Sequence, residues 1–247
     1  MDFDSDGIRL HYELHGREAG APVVLVHGFA SDYQLNWVGT RWQETLTQAG
    51  YRVVGLDCRG HGSSDKPHDP ADYALEIMAA DVRRLLDQLN IRIAHYLGYS
   101  MGGRVGVQAM LDFSTRLNRV VLGGIGWGGA YHEAKEIARA LHGEPTTSAV
   151  AKSFYDFARA KPGNDLEALA ACILGPQPDP DPARLGAITN PVLVVVGDHD
   201  DIAYEADRLV ESIPTARLVT VAGRNHMSTV PAREFKEAAL EFLAAED

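Results

Sequence analysis

The chain has 247 residues, 45% hydrophobic and 23% charged, a mix that excludes a disordered or fibrous protein. Its formal net charge of −11 excludes the basic face that nucleic-acid binders present. The two cysteines, Cys58 and Cys172, lie far apart and in no metal-ligand pattern, so no disulfide framework or zinc site is expected.

The opening "MDFDSDGIRLHYELHG" carries early acids and no long apolar run. It reads as neither a secretory signal nor an anchor, and no segment reaches the ~20 apolar residues of a membrane helix. The expected setting is cytoplasmic. Residues 8–16 alternate apolar and polar, as an antiparallel edge strand does. "PVVLVHG" (22–28), "YRVVGLD" (51–57), "IAHYLGY" (93–99), "LNRVVLGG" (117–124), "PVLVVVGD" (191–198) and "ARLVTVAG" (216–223) are further strands. Several lack polar alternation, the mark of strands covered on both faces in a parallel sheet.

Leu75, Met78, Ala79, Val82, Leu85, Leu86 and Leu89 recur at helical spacing, and residues 204–213 and 232–245 repeat the pattern. The alternation predicts an α/β fold with a mostly parallel sheet sandwiched by helices. It fails between Gly129 and Ala187, where "AYHEAKEIARALHG", "TSAVAKSFYDFARA" and "DLEALAACILG" look helical. "PQPDPDPARLG" follows and reads as an extended connector, because its prolines cannot continue a helix. The expected organisation is a core of 1–128 and 188–247 with a small helical cap, 129–187, inserted between two late strands.

"GYSMGG" (98–103) is a G-x-S-x-G turn between a strand and a helix. Such a turn presents Ser100 at a strand's carboxyl end, with helix N–H groups beside it. A serine hydroxyl needs a base. Most of the ten histidines lie in polar or surface contexts, but His226 follows a strand on a glycine turn and precedes the last helix. The base needs an acid to hold its tautomer, and Asp198, Asp200 and Asp201 cluster after the strand at 191–198. No other clustered ligands support a metal there. "VLVHGFASD" (24–32) offers the Phe29 N–H as one oxyanion donor, with the Met101 N–H as the other. His27 is expected to brace that loop rather than act as base.

Together "HGF" (27–29), "DCRGHGSSD" (57–65), "GYSMGG" (98–103) and "GDHDD…GRNH" (197–226) resemble the α/β-hydrolase superfamily, in its serine esterase and haloperoxidase-like branch. The resemblance spans nearly the whole chain. It implies about eight strands, a serine nucleophile and no cofactor. Its G-x-x-D pattern counted from Gly197 selects Asp200 as the acid. Tyr204 stands where that family often has proline, so Asp198 and Asp201 remain rivals. Asp57, Arg59 and His61 match its structural turn.

The expected activity is cleavage of a small or medium carboxylic ester through an acyl-enzyme. Trp127, Phe154, Tyr155 and Phe157 are candidates for the pocket wall. C–C bond, lactone or thioester hydrolysis, perhydrolysis, and ligand reception with slow hydrolysis all fit the same residues. The expected partner is a small ester-like molecule, with no nucleic acid or membrane.

Overall fold

The computed structural model describes residues 1–127 and 133–245. Strands β1 (Asp2–Ser5), β2 (Ile8–His15) and β3 (Pro22–Val26) open the chain, followed by α1 (Trp42–Gln48) and β4 (Arg52–Leu56). Then come α2 (Leu75–Gln88), β5 (Ala94–Tyr99), α3 (Met101–Phe113) and β6 (Leu117–Gly123). Helices α4 (Ala134–Leu141), α5 (Ala149–Ala160), α6 (Leu166–Leu174) and α7 (Pro182–Leu185) stand between β6 and β7 (Val192–Gly197). The chain closes with α8 (Ala206–Ser212), β8 (Ala216–Val221), α9 (His226–Thr229) and α10 (Arg233–Ala244).

The eight strands form one sheet in the order β1-β2-β4-β3-β5-β6-β7-β8. β1 and β2 pair antiparallel, β2 joins β4 antiparallel, and every later pairing is parallel. β3 explains why the central strands read as unbroken apolar runs. Val24 and Val26 face one core, while Val23 and Leu25 face the other, and all four are buried. The first core includes α2 and α3 residues, and the second α1 and α10 residues. Burial of a side chain of this size contributes about 1.5–3 kcal/mol.

Two expectations need correction. The 8–16 strand is not the edge, because β1 pairs outside it with Phe3 opposite Leu10. The proline tract is not wholly extended. Pro182 opens the short helix α7, where a missing N–H costs nothing, and the Asp181 side chain caps it by accepting from the Ala183 N–H at 2.9 Å. The expected boundary at 128/129 and His132 fall outside the described residues.

A buried ion pair fixes the structural turn. The Arg59 guanidinium forks onto Asp81 of α2 at 2.7 and 2.8 Å and donates to the Asp72 carbonyl at 2.8 Å. Ser5 of β1 donates to the same Asp81, so the outer strand is tied to this cluster. Burial pushes the Cys58 and Cys172 thiols well up, which leaves both as inert packing groups.

Candidate active site

β5 runs into α3 through Ser100, which sits at φ 53°, ψ −113°. The flanking glycines do not absorb this strain; they permit close approach. A Cβ on Gly98 would stand 2.2 Å from the Gly102 carbonyl oxygen, and one on Gly102 would stand 2.0 Å from that of Val26. The turn is pinned by the Ser100 N–H donating to Gly123 at 2.8 Å and the Gly102 N–H donating to His27 at 3.1 Å. A serine before a helix commonly caps it, but the Ser100 side chain makes no capping bond, so its hydroxyl is left for other partners.

His226 opens α9, whose N-cap Asn225 and Ser228 satisfy one another in a capping box. Its Nδ1 lies 3.0 Å from both oxygens of Asp200. The carboxylate can only accept, so Nδ1 carries a proton, and in the neutral ring the lone pair is on Nε2. Asp200 is fixed in turn by accepting from the Ile202 and Ala203 N–H groups, each at 3.0 Å. Its side chain is 0% exposed. The rivals stand apart: Asp198 accepts from the Arg224 N–H at 3.2 Å, and Asp201 is exposed at a cavity rim. Tyr99, the residue before Ser100, donates its hydroxyl to the His226 carbonyl at 2.6 Å. The strand bearing the serine thus holds the histidine's backbone.

Ser100 and His226 line the same cavity of about 470 Å³. Its wall includes Gly28 and Phe29 from the loop after β3, and Val150, Phe154 and Phe157 from α5. Phe154 meets Phe29 edge-on at 5.6 Å. Leu35 and Met227, both exposed, add apolar surface to its lining. The Met101 N–H opens α3, where no intrahelical acceptor exists. Two pocket candidates lie elsewhere. Trp127 lines a separate cavity of about 300 Å³, under the Arg208 guanidinium at 4.2 Å. Phe154, Tyr155 and Phe157 all pack against the core on the α2/α3 side, but Tyr155 does not line the Ser100 cavity. The helical periodicity of α5 explains that difference, since Phe154 and Phe157 share a face that Tyr155 does not.

The Phe29 loop is braced by two buried histidines. His27 donates from Nδ1 to the Gly28 carbonyl at 2.8 Å and accepts at Nε2 from the Cys58 N–H at 3.0 Å. His61 donates to the Arg59 carbonyl at 2.9 Å and accepts from the Ala30 N–H at 3.1 Å. Burial lowers both pKa values, that of His61 to about 3, so each holds one neutral tautomer. Asp57 accepts from the Tyr33 and Ser63 N–H groups at 2.8 and 2.9 Å.

Helix α5 is fastened to the same loop. Lys161 pairs with Asp32 at 2.7 Å, and Asn164 donates to the Ala30 carbonyl at 3.0 Å. Burial works to raise the Asp32 carboxyl, but Lys161 and the Leu35 N–H outweigh it and hold it below the ordinary range. Asn36 also serves this loop, its Oδ1 accepting from the Gly28 N–H at 3.0 Å. None of these contacts is readable in the sequence, because they join segments with no shared motif. Among the described residues no group of three or more His, Cys, Asp or Glu could hold a metal ion. No helix among them is long and apolar enough to cross a membrane.

A family model described as "alpha/beta hydrolase fold" matches residues 21–230. A 2-hydroxy-6-oxononadienedioate/2-hydroxy-6-oxononatrienedioate hydrolase of Pseudomonas putida is 31% identical over 268 residues, covering 96% of this chain and 92% of the relative. A hydrolase structure from Pseudomonas aeruginosa superposes with TM-score 0.83 at 29% identity, over 99% of this chain and 98% of that one. The enol-lactonase from Burkholderia xenovorans does so with TM-score 0.80 at 25% identity, over 99% and 100%.

Proposed function

The chain belongs to the α/β-hydrolase fold family, its relatives include hydrolases of small molecules, and we propose that it is a serine hydrolase of small or medium carboxylic esters. The observation that carries this reading is the shared cavity. One wall holds a serine whose hydroxyl caps nothing, and another holds a histidine fixed by a sealed carboxylate.

In this reading His226 Nε2 takes the Ser100 proton as Oγ attacks the ester carbonyl. The N–H groups of Phe29 and Met101 receive the developing oxyanion, with the positive end of α3 behind Met101. Asp200 holds the imidazolium that forms. His226 then hands the proton to the departing alcohol, leaving an acyl group on Ser100. Water, deprotonated by His226, attacks the acyl carbon; the C–Oγ bond breaks to free the acid, and the His226 proton returns to Ser100 Oγ. The helices at 133–187 act as a cap that shields these steps, with α5 supplying the apolar wall for the acyl chain.

A second reading, lactone hydrolysis, draws on the likeness to the enol-lactonase and uses the same steps with the alcohol tethered to the acid. A panel of alkyl esters and lactones tests both. The ester reading expects turnover of short acyl esters that Ser100→Ala abolishes. Lactone turnover without ester turnover would favour the second reading. Ligand-induced stabilisation without turnover would replace both with a receptor.

A further inference from the structure

Asn36 carries a group that the reaction above does not use. It lies in the π-helical turn Gln34–Val38, is 7% exposed, and lines the cavity that holds Ser100 and His226. Its Oδ1 accepts from the Gly28 N–H at 3.0 Å, which fixes the orientation of the amide, since only the oxygen can accept. The Nδ2 end is therefore the one left over, and it is buried with no hydrogen-bond partner. A buried unpaired donor costs free energy; Nδ2 is closed to solvent, so a small turn of the Asn36 side chain toward the cavity is what would let a ligand acceptor satisfy it. The amide is close to the reacting centre. A Cβ built on Gly28 would stand 3.4 Å from Ser100 Cβ and 3.6 Å from Asn36 Oδ1.

The rest of the lining limits the charge of that ligand. The titratable side chains among the described lining residues are Tyr99, His199, Asp201 and His226, and no lysine or arginine is among them. A carboxylate on the acyl chain would lose water without gaining a cation, and would meet the Asp201 charge at the rim.

We propose that the cavity selects an uncharged ester whose acyl part carries a second acceptor oxygen, a ketone or its like, a few bonds from the scissile carbonyl, received by the Asn36 Nδ2–H. This rests on the serine-hydrolase reading and narrows its substrate class. Asn36 acts as a specificity residue through Nδ2 and as a positioning residue for the Phe29 loop through Oδ1.

Three methyl esters of matched length test it, followed by acid release: methyl pentanoate, methyl 4-oxopentanoate and monomethyl succinate. The wild-type protein is expected to prefer the oxo ester over pentanoate by roughly threefold to tenfold in kcat/KM, the range of one neutral hydrogen bond, and to turn over the succinate most slowly. Asn36→Asp keeps an oxygen for the Gly28 N–H and removes the donor. It should bring the oxo/pentanoate ratio to about one or below while pentanoate is still hydrolysed. Asn36→Leu should also erase the ratio, with an added fall in kcat from the lost brace. Where a variant melts early, the wild-type ranking of the three esters still decides. A ratio unchanged by Asn36→Asp, no wild-type preference for the oxo ester, or succinate as the best substrate would overturn the proposal alone. No turnover of any ester by folded protein, with Ser100 unlabelled by a fluorophosphonate, would overturn the serine-hydrolase reading and the proposal with it.

Discussion

His226 Nδ1 stands 3.0 Å from each oxygen of the Asp200 carboxylate, and the Asp200 side chain is sealed from solvent. The pairing sets the tautomer that the proposed role of Nε2 as base requires. Asp200→Asn is expected to lower kcat by about 10⁴-fold, because an amide can offer its N–H to Nδ1 and reverse the tautomer. Asp198→Asn and Asp201→Asn should stay within about threefold of wild type, since neither carboxylate reaches His226 and surface changes are small in effect. Steady-state kinetics on any accepted ester checks all three.

Ser100 is held at φ 53°, a value that side chains rarely adopt. Such strain costs on the order of 1 kcal/mol or more. Ser100→Gly should therefore raise the melting temperature by about 2–4 °C while removing activity. Ser100→Ala, which keeps the strain, should not. Paired thermal melts distinguish the two, and equal melting temperatures would contradict the strain.

His61 is buried neutral, its pKa lowered by burial from 6.5 to about 3, and His27 is lowered in the same direction. The unfolded chain binds protons at these sites before the native state does. Their contribution to stability is thus complete above about pH 6.5 and is lost as pH falls toward the native values. The expected slope is about 1.4 kcal/mol per pH unit for each histidine within that window. Urea unfolding along a pH series should show it, and His61→Gln should flatten it.

The Arg59–Asp81 pair is buried, with side chains 3% and 2% exposed. Asp81→Ala should destabilise the protein by about 3–5 kcal/mol, because it strands a guanidinium in the core. Kinetic constants at permissive temperature should change little. Denaturant midpoints measure the first effect and ester turnover the second.

Phe157 lines the cavity from α5. Phe157→Ala should move the preferred acyl chain to longer lengths, by roughly fourfold in kcat/KM per newly buried methylene. An acyl-length series checks this, and an unmoved optimum would place the acyl group elsewhere.

How much of this was legible depends on where the physical signal lies. β3 and β7 are readable because both faces are covered, which leaves unbroken runs of valine and leucine. β1 is not, because its four residues put Asp2 and Asp4 outward and carry only Phe3 and Ser5 inward. Ser100 and His226 are marked by short glycine motifs at strand ends. Asp200 stands among three acids, and only the fold shows which one faces the imidazole. Trp127 reads as pocket lining by residue type alone, yet the chain turns it under Arg208 in another cavity. Asn36 has no motif at all. Its amide gains meaning only when the π-helical turn brings it to Gly28, eight residues upstream.

The central claim is that Ser100 attacks the substrate carbonyl. Intact-mass and peptide mass spectrometry after exposure to a fluorophosphonate tests it most directly. One adduct is expected, on Ser100, slowed by Asp200→Asn and absent from Ser100→Ala. An adduct on another residue, or one that persists in Ser100→Ala, would contradict it.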